Sequence, residues 1–382
     1  MISRMLAGVL VTGALLTAGA VSAPAEPQPD LRAEVASRLW DRSGLSPAAG
    51  DRTAVVTPSR QSAKWAFGTA VLTTPSTTDS HPNGWLFVAK LDGGGWQVAL
   101  EGEPAFGALA GQAPVVGAAE RALLSTQDGK DRAGGDFRTG MALPFATGQT
   151  WSMPGGPHGW SGDPPPWSSL DLAGGDQRVL AARAGTAYTM CQGWVRVIHD
   201  RGYATDYYHL WDNINVDGAA VSQGSFLGNT GTDVTCGGSA LGRHVHFALR
   251  QNSNYVGIAD HNVGKWVPQN GGAAYNGSAL HGSTRVYPGG SVHNYGALGF
   301  TQGVIDTNGG GVVNKRTGPG TGYALAGTVA DGATVSVSCS ADGTTHTGRW
   351  GTTSLWNRLT DGTWVTDAFM WTGIGGPVNG YC

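Results

Sequence analysis

Charge is scarce in this chain. Asp, Glu, Lys and Arg make up 13% of its 382 residues, roughly half the usual share. Lysine occurs only at 64, 90, 130, 265 and 315, and the formal net charge is −3. There is no basic stripe, which argues against a nucleic-acid partner. Long hydrophobic runs are lacking too, since beyond the first residues no stretch is long and apolar enough to span a bilayer. No segment between 136 and 300 carries a long amphipathic helical period. Cysteine is limited to four residues, 191, 236, 339 and 382.

Glycine is abundant, with 62 residues in 382, against a usual share of roughly 7%. Glycine is a poor helix former, so a coiled coil or helical bundle is excluded and a β-rich chain with many turns is expected. Hydrophobic residues at 40% and 14 Trp supply apolar surface for real cores. At about 150 residues per domain, the length suggests two or three units.

The opening MISRMLAGVLVTGALLTAGAVSAPAE has Arg4, a short apolar run over 5–18, and small-residue cleavage sites at Ala18-Gly19-Ala20 or Ala23-Pro24-Ala25. This pattern predicts a secretory signal peptide over 1–25, hence a secreted, extracellular chain with no membrane attachment after cleavage. An even cysteine count in an exported chain suggests disulfides. Three pairings are possible. Sequence proximity favours Cys191–Cys236 and Cys339–Cys382, the second of which would fasten a terminus that otherwise frays.

Residues 26–135 form a first unit. Asp30 is placed to cap a helix through Leu31, Val35 and Leu39, with Gly44 as its stop. KWAFGTAVLTTP reads as a strand, and GWLFVAKLDGGGWQVALEG as a hairpin. The unit has one histidine, His81, and nothing in it looks catalytic. A compact segment between a signal peptide and a catalytic unit is expected to be a propeptide. Residues 136–300 form a second unit, which holds eight of the ten histidines. GWVRVIHD, YATDYYHLW and RHVHFALR read as its strands. Residues 301–382 read as short strands with turns every eight to twelve residues, suggesting a small barrel.

The chemistry concentrates in the second unit. In RHVHFAL, a period of two puts His244 and His246 on one face of a strand. Such a pair can offer one nitrogen to a metal and leave the other beside it, although two histidines on a solvated strand face are commoner. His158 lies in PHGW. Asp171 lies between Leu170 and Leu172, and a carboxylate buried there must be paired, hydrogen-bonded or metal-bound. His209 sits in ATDYYHLW, on an expected strand. Two histidines and one aspartate make a three-ligand set for a catalytic zinc with an open fourth position. The other two histidines could then carry protons or donate to an oxyanion.

From Val195 to Leu249 the chain resembles the lysostaphin-type zinc endopeptidases that cut bacterial cell-wall peptides. VIHDRGYATDYYHL, VSQGSFLGNTG and GRHVHFAL are similar to that family's motifs and occur in the same order. The long His158-to-Asp171 loop and the Cys191–Cys236 spacing resemble its beta-lytic and staphylolysin branch. The resemblance, over about 142–300, implies one Zn2+ held by His158, Asp171 and His246. It also implies His209 and His244 as the catalytic pair, on an antiparallel sheet crossed by a groove. His199 matches a histidine often found on a family strand and is expected to be structural. His261, His281 and His293, in Gly/Asn-rich loops, are expected to be exposed. Trp151, Trp160 and Trp167 are expected in the core, and Asp163 in a turn.

NKRTGPGTGY, TVSVSC and LWNRLTDGTWVTDAF resemble bacterial SH3-like domains of secreted Gram-positive enzymes. That resemblance implies cell-wall binding through residues 301–382, with Tyr323, Trp356 and Trp364 as groove candidates and Trp364 the first choice for the barrel core. The expected fold is mainly β: an antiparallel-sheet zinc peptidase domain, then an SH3-like barrel, preceded by an α+β propeptide. The expected function is that of a secreted, monomeric, bacteriolytic zinc metalloendopeptidase made as a latent precursor. It would cut Gly-Gly or Gly-Ala bonds in peptidoglycan cross-bridges or other Gly-rich peptides. Two alternatives share the surroundings: an N-acetylmuramoyl-alanine amidase or D-alanyl carboxypeptidase using the same zinc, and a non-catalytic wall-binding protein.

Overall fold

The computed structural model describes residues 30–47, 51–76, 80–125 and 135–382. The expected signal peptide, 1–25, lies outside the described residues. Among the described residues no helix is long and apolar enough to cross a membrane. The fold is mainly β.

The N-terminal part is a helix, a four-stranded sheet and two short helices. Helix α1 (Leu31–Ser43) begins at Asp30, whose carboxylate accepts from the backbone N–H groups of Arg32 and Ala33. It ends at Gly44, whose φ of 67° is left-handed. Leu31, Val35 and Leu39 form its buried stripe. Strands β1 (Ala54–Gln61), β2 (Trp65–Leu72), β3 (Asn83–Asp92) and β4 (Gly95–Leu100) form an antiparallel sheet in chain order. Helices α2 (Phe106–Gln112) and α3 (Ala118–Leu124) follow.

The second part is built on a nine-stranded sheet. Its strands are β5 (Thr150–His158), β6 (Ser169–Ala173), β8 (Gly185–Cys191), β9 (Trp194–Ile198), β10 (Tyr203–Tyr208), β11 (Asp217–Val221) and β13 (Val245–Gln251). Between them, β7 (Arg178–Leu180) pairs with β12 (Phe226–Asn229) as a separate ribbon. The order across the large sheet is β11-β8-β9-β10-β13-β6-β5, then Ser291–His293 at the edge, with Asn254–Tyr255 paired to β13. The third part is a seven-stranded sheet running from Gln302–Ile305 to Met370–Trp371.

Strand alternation explains how the large sheet is used. One face carries Val195, Val197, Tyr203, Tyr207, Phe247 and Leu249, all buried in a cluster with Leu143, Trp151 and Trp266. The opposite face carries Trp194, Arg196, Ile198, Ala204, Asp206, Tyr208, His246, Ala248 and Arg250. Mixed charge and aromatics on alternate positions would ordinarily face water. Here the N-terminal sheet covers them. Phe67, Val71, Leu86 and Val88 pack with Trp160, Tyr188, Trp194, Ile198 and Tyr208 in one cluster. The N-terminal sheet is buried on its other face by α1.

Buried charge crosses this contact. Glu101 has no exposed side-chain surface, and its Oε2 lies 2.8 Å from Arg196 Nη1. Its Oε1 lies 3.5 Å from Arg250 Nη1. Arg196 also binds Asp206, its Nε donating to Oδ1 at 2.8 Å. The N-terminal unit thus supplies the second carboxylate to a site with two guanidinium groups.

Both expected disulfides are present, Cys191–Cys236 and Cys339–Cys382. His199 is structural: its Nδ1 donates to Ala184 O at 2.9 Å and its Nε2 pairs with Thr205 Oγ1 at 2.9 Å. Two expected exposures do not hold. His261 and His281 are each only 7% exposed. His281 ends a strand, donates to Lys265 O and stacks on Tyr295 at 4.1 Å. In the third part it is Trp356, not Trp364, that is deeply buried, with its indole N–H donating to Thr344 O. Tyr323 is half exposed. Trp151 and Trp160 are buried, whereas Trp167 is partly exposed.

Candidate active site

Three adjacent strands bring the expected ligand residues together. His158 is the last residue of β5, Asp171 the centre of β6, and His246 the second residue of β13. Asp171 and His246 are directly opposed in the β13–β6 register, so their side chains share one face. On the other side of β6, Asp171 pairs with Gly155. A Cβ at Gly155 would lie 2.4 Å from Asp171 Oδ2, so only glycine leaves room for the carboxylate.

The donor atoms converge. His158 Nε2 lies 3.1 Å from His246 Nδ1, and Asp171 Oδ1 lies 3.2 Å from His246 Nδ1 and 3.5 Å from His158 Nε2. One ligand atom from each residue falls in a group within 4.8 Å. His158 Nδ1 sits 2.7 Å from Gly156 O, so that nitrogen carries the proton and Nε2 presents a lone pair inward. Two imidazoles and a carboxylate with such convergence suit a tetrahedral zinc with one open position.

The other two candidates stand beside this group. His244 precedes β13, with its Nε2 3.5 Å from Asp171 Oδ1. Its Nδ1 donates to Gly242 O at 2.6 Å. His209 was expected on a strand but lies one residue beyond β10, with a φ of 66°. This left-handed turn is uncommon for a residue with a side chain. It swings the ring toward His244, whose centroid is 4.9 Å away. His209 Nδ1 donates to Asp233 O at 3.0 Å, leaving Nε2 without a hydrogen-bond partner. Both rings therefore turn an unprotonated Nε2 away from a backbone anchor, the form needed to accept a proton.

Burial and neighbouring charge shape the electrostatics. Burial alone would raise the Asp171 carboxyl, but His158, His246 and His244 outweigh it and hold it well below the usual carboxylate range. Burial, with the neighbouring histidines, keeps His209 well below the ordinary imidazole value. Burial lowers His246 to about 3. His246 and His209 are therefore neutral and the Asp171 carboxylate ionised at neutral pH, and a neutral imidazole and an ionised carboxylate are the forms that bind a metal ion.

A cavity of about 520 Å³ opens over these groups. Its walls include Asp171, His209, His244, His246, Tyr275 and, from the N-terminal part, His81. Sequence reasoning passed over His81. It is a lone histidine in a loop, and no spacing ties it to residues so far along the chain. His293 lies outside the group, with its Nδ1 2.9 Å from Thr150 Oγ1. Asp163 is an exposed turn residue, as expected.

Residues 166–258 match the description "Peptidase family M23". The chain is 36% identical over 138 residues to Protease LasA of Pseudomonas aeruginosa, which is 33% of this chain and 32% of that protein. The chain thus spans about a third of the length of that relative. It is 32% identical over 127 residues to the beta-lytic metalloendopeptidase of Lysobacter enzymogenes, which is 30% of this chain and 71% of that protein. A solved structure described as a novel M23 metalloprotease, pseudoalterin, from the deep sea is similar at 27% identity and a TM-score of 0.38. That likeness covers 41% of this chain and 98% of the other.

Proposed function

The chain belongs to peptidase family M23, and we propose that it is a secreted zinc metalloendopeptidase that hydrolyses peptide bonds of peptidoglycan cross-bridges. The observation that carries the proposal is the convergence of His158, Asp171 and His246 beside His209 and His244 in one cavity. In this reading residues 136–300 are the catalytic unit, 26–135 a propeptide and 301–382 an SH3-like wall-binding unit.

His158 Nε2, Asp171 Oδ1 and His246 Nδ1 would hold one zinc ion. When bound, zinc supplies Lewis-acid polarisation of a carbonyl and lowers the pKa of a water. One of His209 and His244 accepts the proton of the attacking water at Nε2 and returns it to the leaving amine. The other, after taking up a proton from solvent at Nε2, would donate to the oxyanion of the tetrahedral intermediate. Glycine-rich peptides suit the site, because a missing side chain lets the substrate backbone approach buried donors. The secretion reading rests on the N-terminal pattern and on two disulfides, which persist in oxidising compartments. Latency is supported by the cover that the N-terminal sheet forms over the site face.

The test is hydrolysis of a quenched pentaglycine peptide by the chain freed of residues 1–135, with and without a zinc chelator. Chelator-sensitive cleavage with new glycine N-termini supports the endopeptidase. A folded, zinc-loaded protein that instead releases D-alanine, or frees lactyl groups from wall fragments, would show carboxypeptidase or amidase action. Binding of wall fragments without any cleavage would indicate a non-catalytic wall-binding protein.

A further inference from the structure

Both proposed catalytic groups and the ligand histidines must be reachable by a substrate. In the intact chain most of them are covered: His158 and His209 have no exposed surface and His246 is 1% exposed, while His244 keeps 14% of its side chain exposed in the cavity. The residue lying against them comes from the N-terminal unit. The ring of His81 is 4.6 Å from that of His246 and 5.0 Å from that of His209, nearly perpendicular to both. Trp160 and Tyr208 close on it at 5.5 and 5.4 Å. His81 is 6% exposed and its Nδ1 has no hydrogen-bond partner. Aromatic packing and a hydrogen bond to the Trp160 backbone together fix the ring in place.

The backbone on either side of His81 is bound as a peptide would be. Thr74 N–H donates to Cys236 O at 3.0 Å, and Gly238 N–H donates to Pro75 O at 3.3 Å. Trp160 Nε1 donates to Pro82 O at 2.7 Å. Main-chain hydrogen bonds of this kind hold an extended peptide whatever its sequence. The receiving turn is shaped for the approach. A Cβ on Gly237 would lie 2.1 Å from Thr74 O, and one on Gly238 2.5 Å from His81 Cδ2. Both glycines have left-handed φ, 108° and 88°.

Resting on the peptidase reading above, we propose that Thr74–Pro75 and His81–Pro82 are bound in the substrate's place as a built-in inhibitor. His81 is the wedge that shuts the catalytic pocket. Cys236 O, Gly238 N–H and the Trp160 indole N–H are then the groups that take the substrate backbone once the segment leaves. The wedge acts by bulk, and the buried Glu101 pairs hold it in register.

The test uses the full-length, zinc-loaded chain and three substitutions, His81→Ala, His81→Ser and His81→Phe. Two quantities are measured besides zinc content: the rate at which a chelating dye removes zinc, and hydrolysis of quenched pentaglycine. Wild type and His81→Phe should hold one zinc, release it slowly and hydrolyse little. His81→Ala and His81→Ser should hold one zinc, release it at least tenfold faster and hydrolyse at least tenfold faster. The two small variants guard against one of them misfolding, and the phenylalanine keeps the ring without its nitrogens. Zinc-loaded Ala and Ser variants that match wild type in both rates would overturn the wedge, as would a His81→Phe protein as open as they are. Absence of zinc from every protein, wild type included, would instead overturn the peptidase reading, and the inference with it.

Discussion

Replacing Glu101 by glutamine removes one charge from the contact between the N-terminal sheet and the site face, with almost no change in shape. The carboxylate lies 2.8 Å from Arg196 Nη1 and 3.5 Å from Arg250 Nη1. At an effective dielectric of about 20, these separations give gross attractions of roughly 6 and 5 kcal/mol. Most of that offsets the desolvation of the three charged groups. Removing one partner of a buried pair commonly costs about 3–5 kcal/mol, because the remaining charge is stranded. Arg196 is not left alone, since Asp206 still accepts from its Nε at 2.8 Å and its Nη2 at 3.0 Å. The loss should therefore fall at the low end, about 3 kcal/mol. For a unit of this size that lowers the unfolding midpoint by roughly 6–12 °C. Calorimetry of the full chain measures it, with Glu34→Gln on exposed α1 as the control. The control should stay within about 0.5 kcal/mol of wild type. A Glu101→Gln midpoint indistinguishable from the control would refute the claim that this carboxylate neutralises the covered face.

Other outcomes follow from the same geometry. Burial pushes His199 down to about 4, below its ordinary 6.5. The unfolded chain therefore takes up this proton first, and stability falls as pH drops from 6.5 toward 4, by roughly 3 kcal/mol. His199→Gln should remove that share of the pH dependence in urea midpoints taken at pH 7 and 4.5, and an unchanged dependence would contradict it. His246→Ala should lose zinc and activity together, whereas His209→Ala should keep zinc while hydrolysis falls about 10²- to 10⁴-fold. Equal zinc loss in both, by elemental analysis, would contradict the division of roles. Cys382→Ser opens a loop of 43 residues' separation, and should destabilise the C-terminal part by roughly 4 kcal/mol. Its thermal transition should move while zinc content does not.

The histidines of the site were legible because short-range rules reach them. A period of two placed His244 and His246 together, and the flanking leucines of Asp171 marked an enclosed carboxylate. The cap at Asp30 and the stop at Gly44 were local for the same reason. What escaped was long-range. The strands that carry Arg196, Asp206 and Tyr208 read as ordinary alternating surfaces, and nothing nearby announces that another sheet covers them. His81 is invisible for that reason, since its partners are His209 and His246. His261 and His281 misled through composition: glycine and asparagine around them suggest exposed loops, yet Lys265 O and the Tyr295 ring enclose His281. His209 looked like a strand residue because its neighbours are one. Its left-handed backbone is a property of the turn that follows.

Anomalous diffraction at the zinc edge, on crystals of the zinc-loaded chain, tests the central claim most directly. The account predicts one strong peak, within bonding distance of His158 Nε2, Asp171 Oδ1 and His246 Nδ1, with His209 and His244 near it but not bonded. A zinc peak bonded elsewhere, or no peak at these three residues in protein shown to contain zinc, would contradict it.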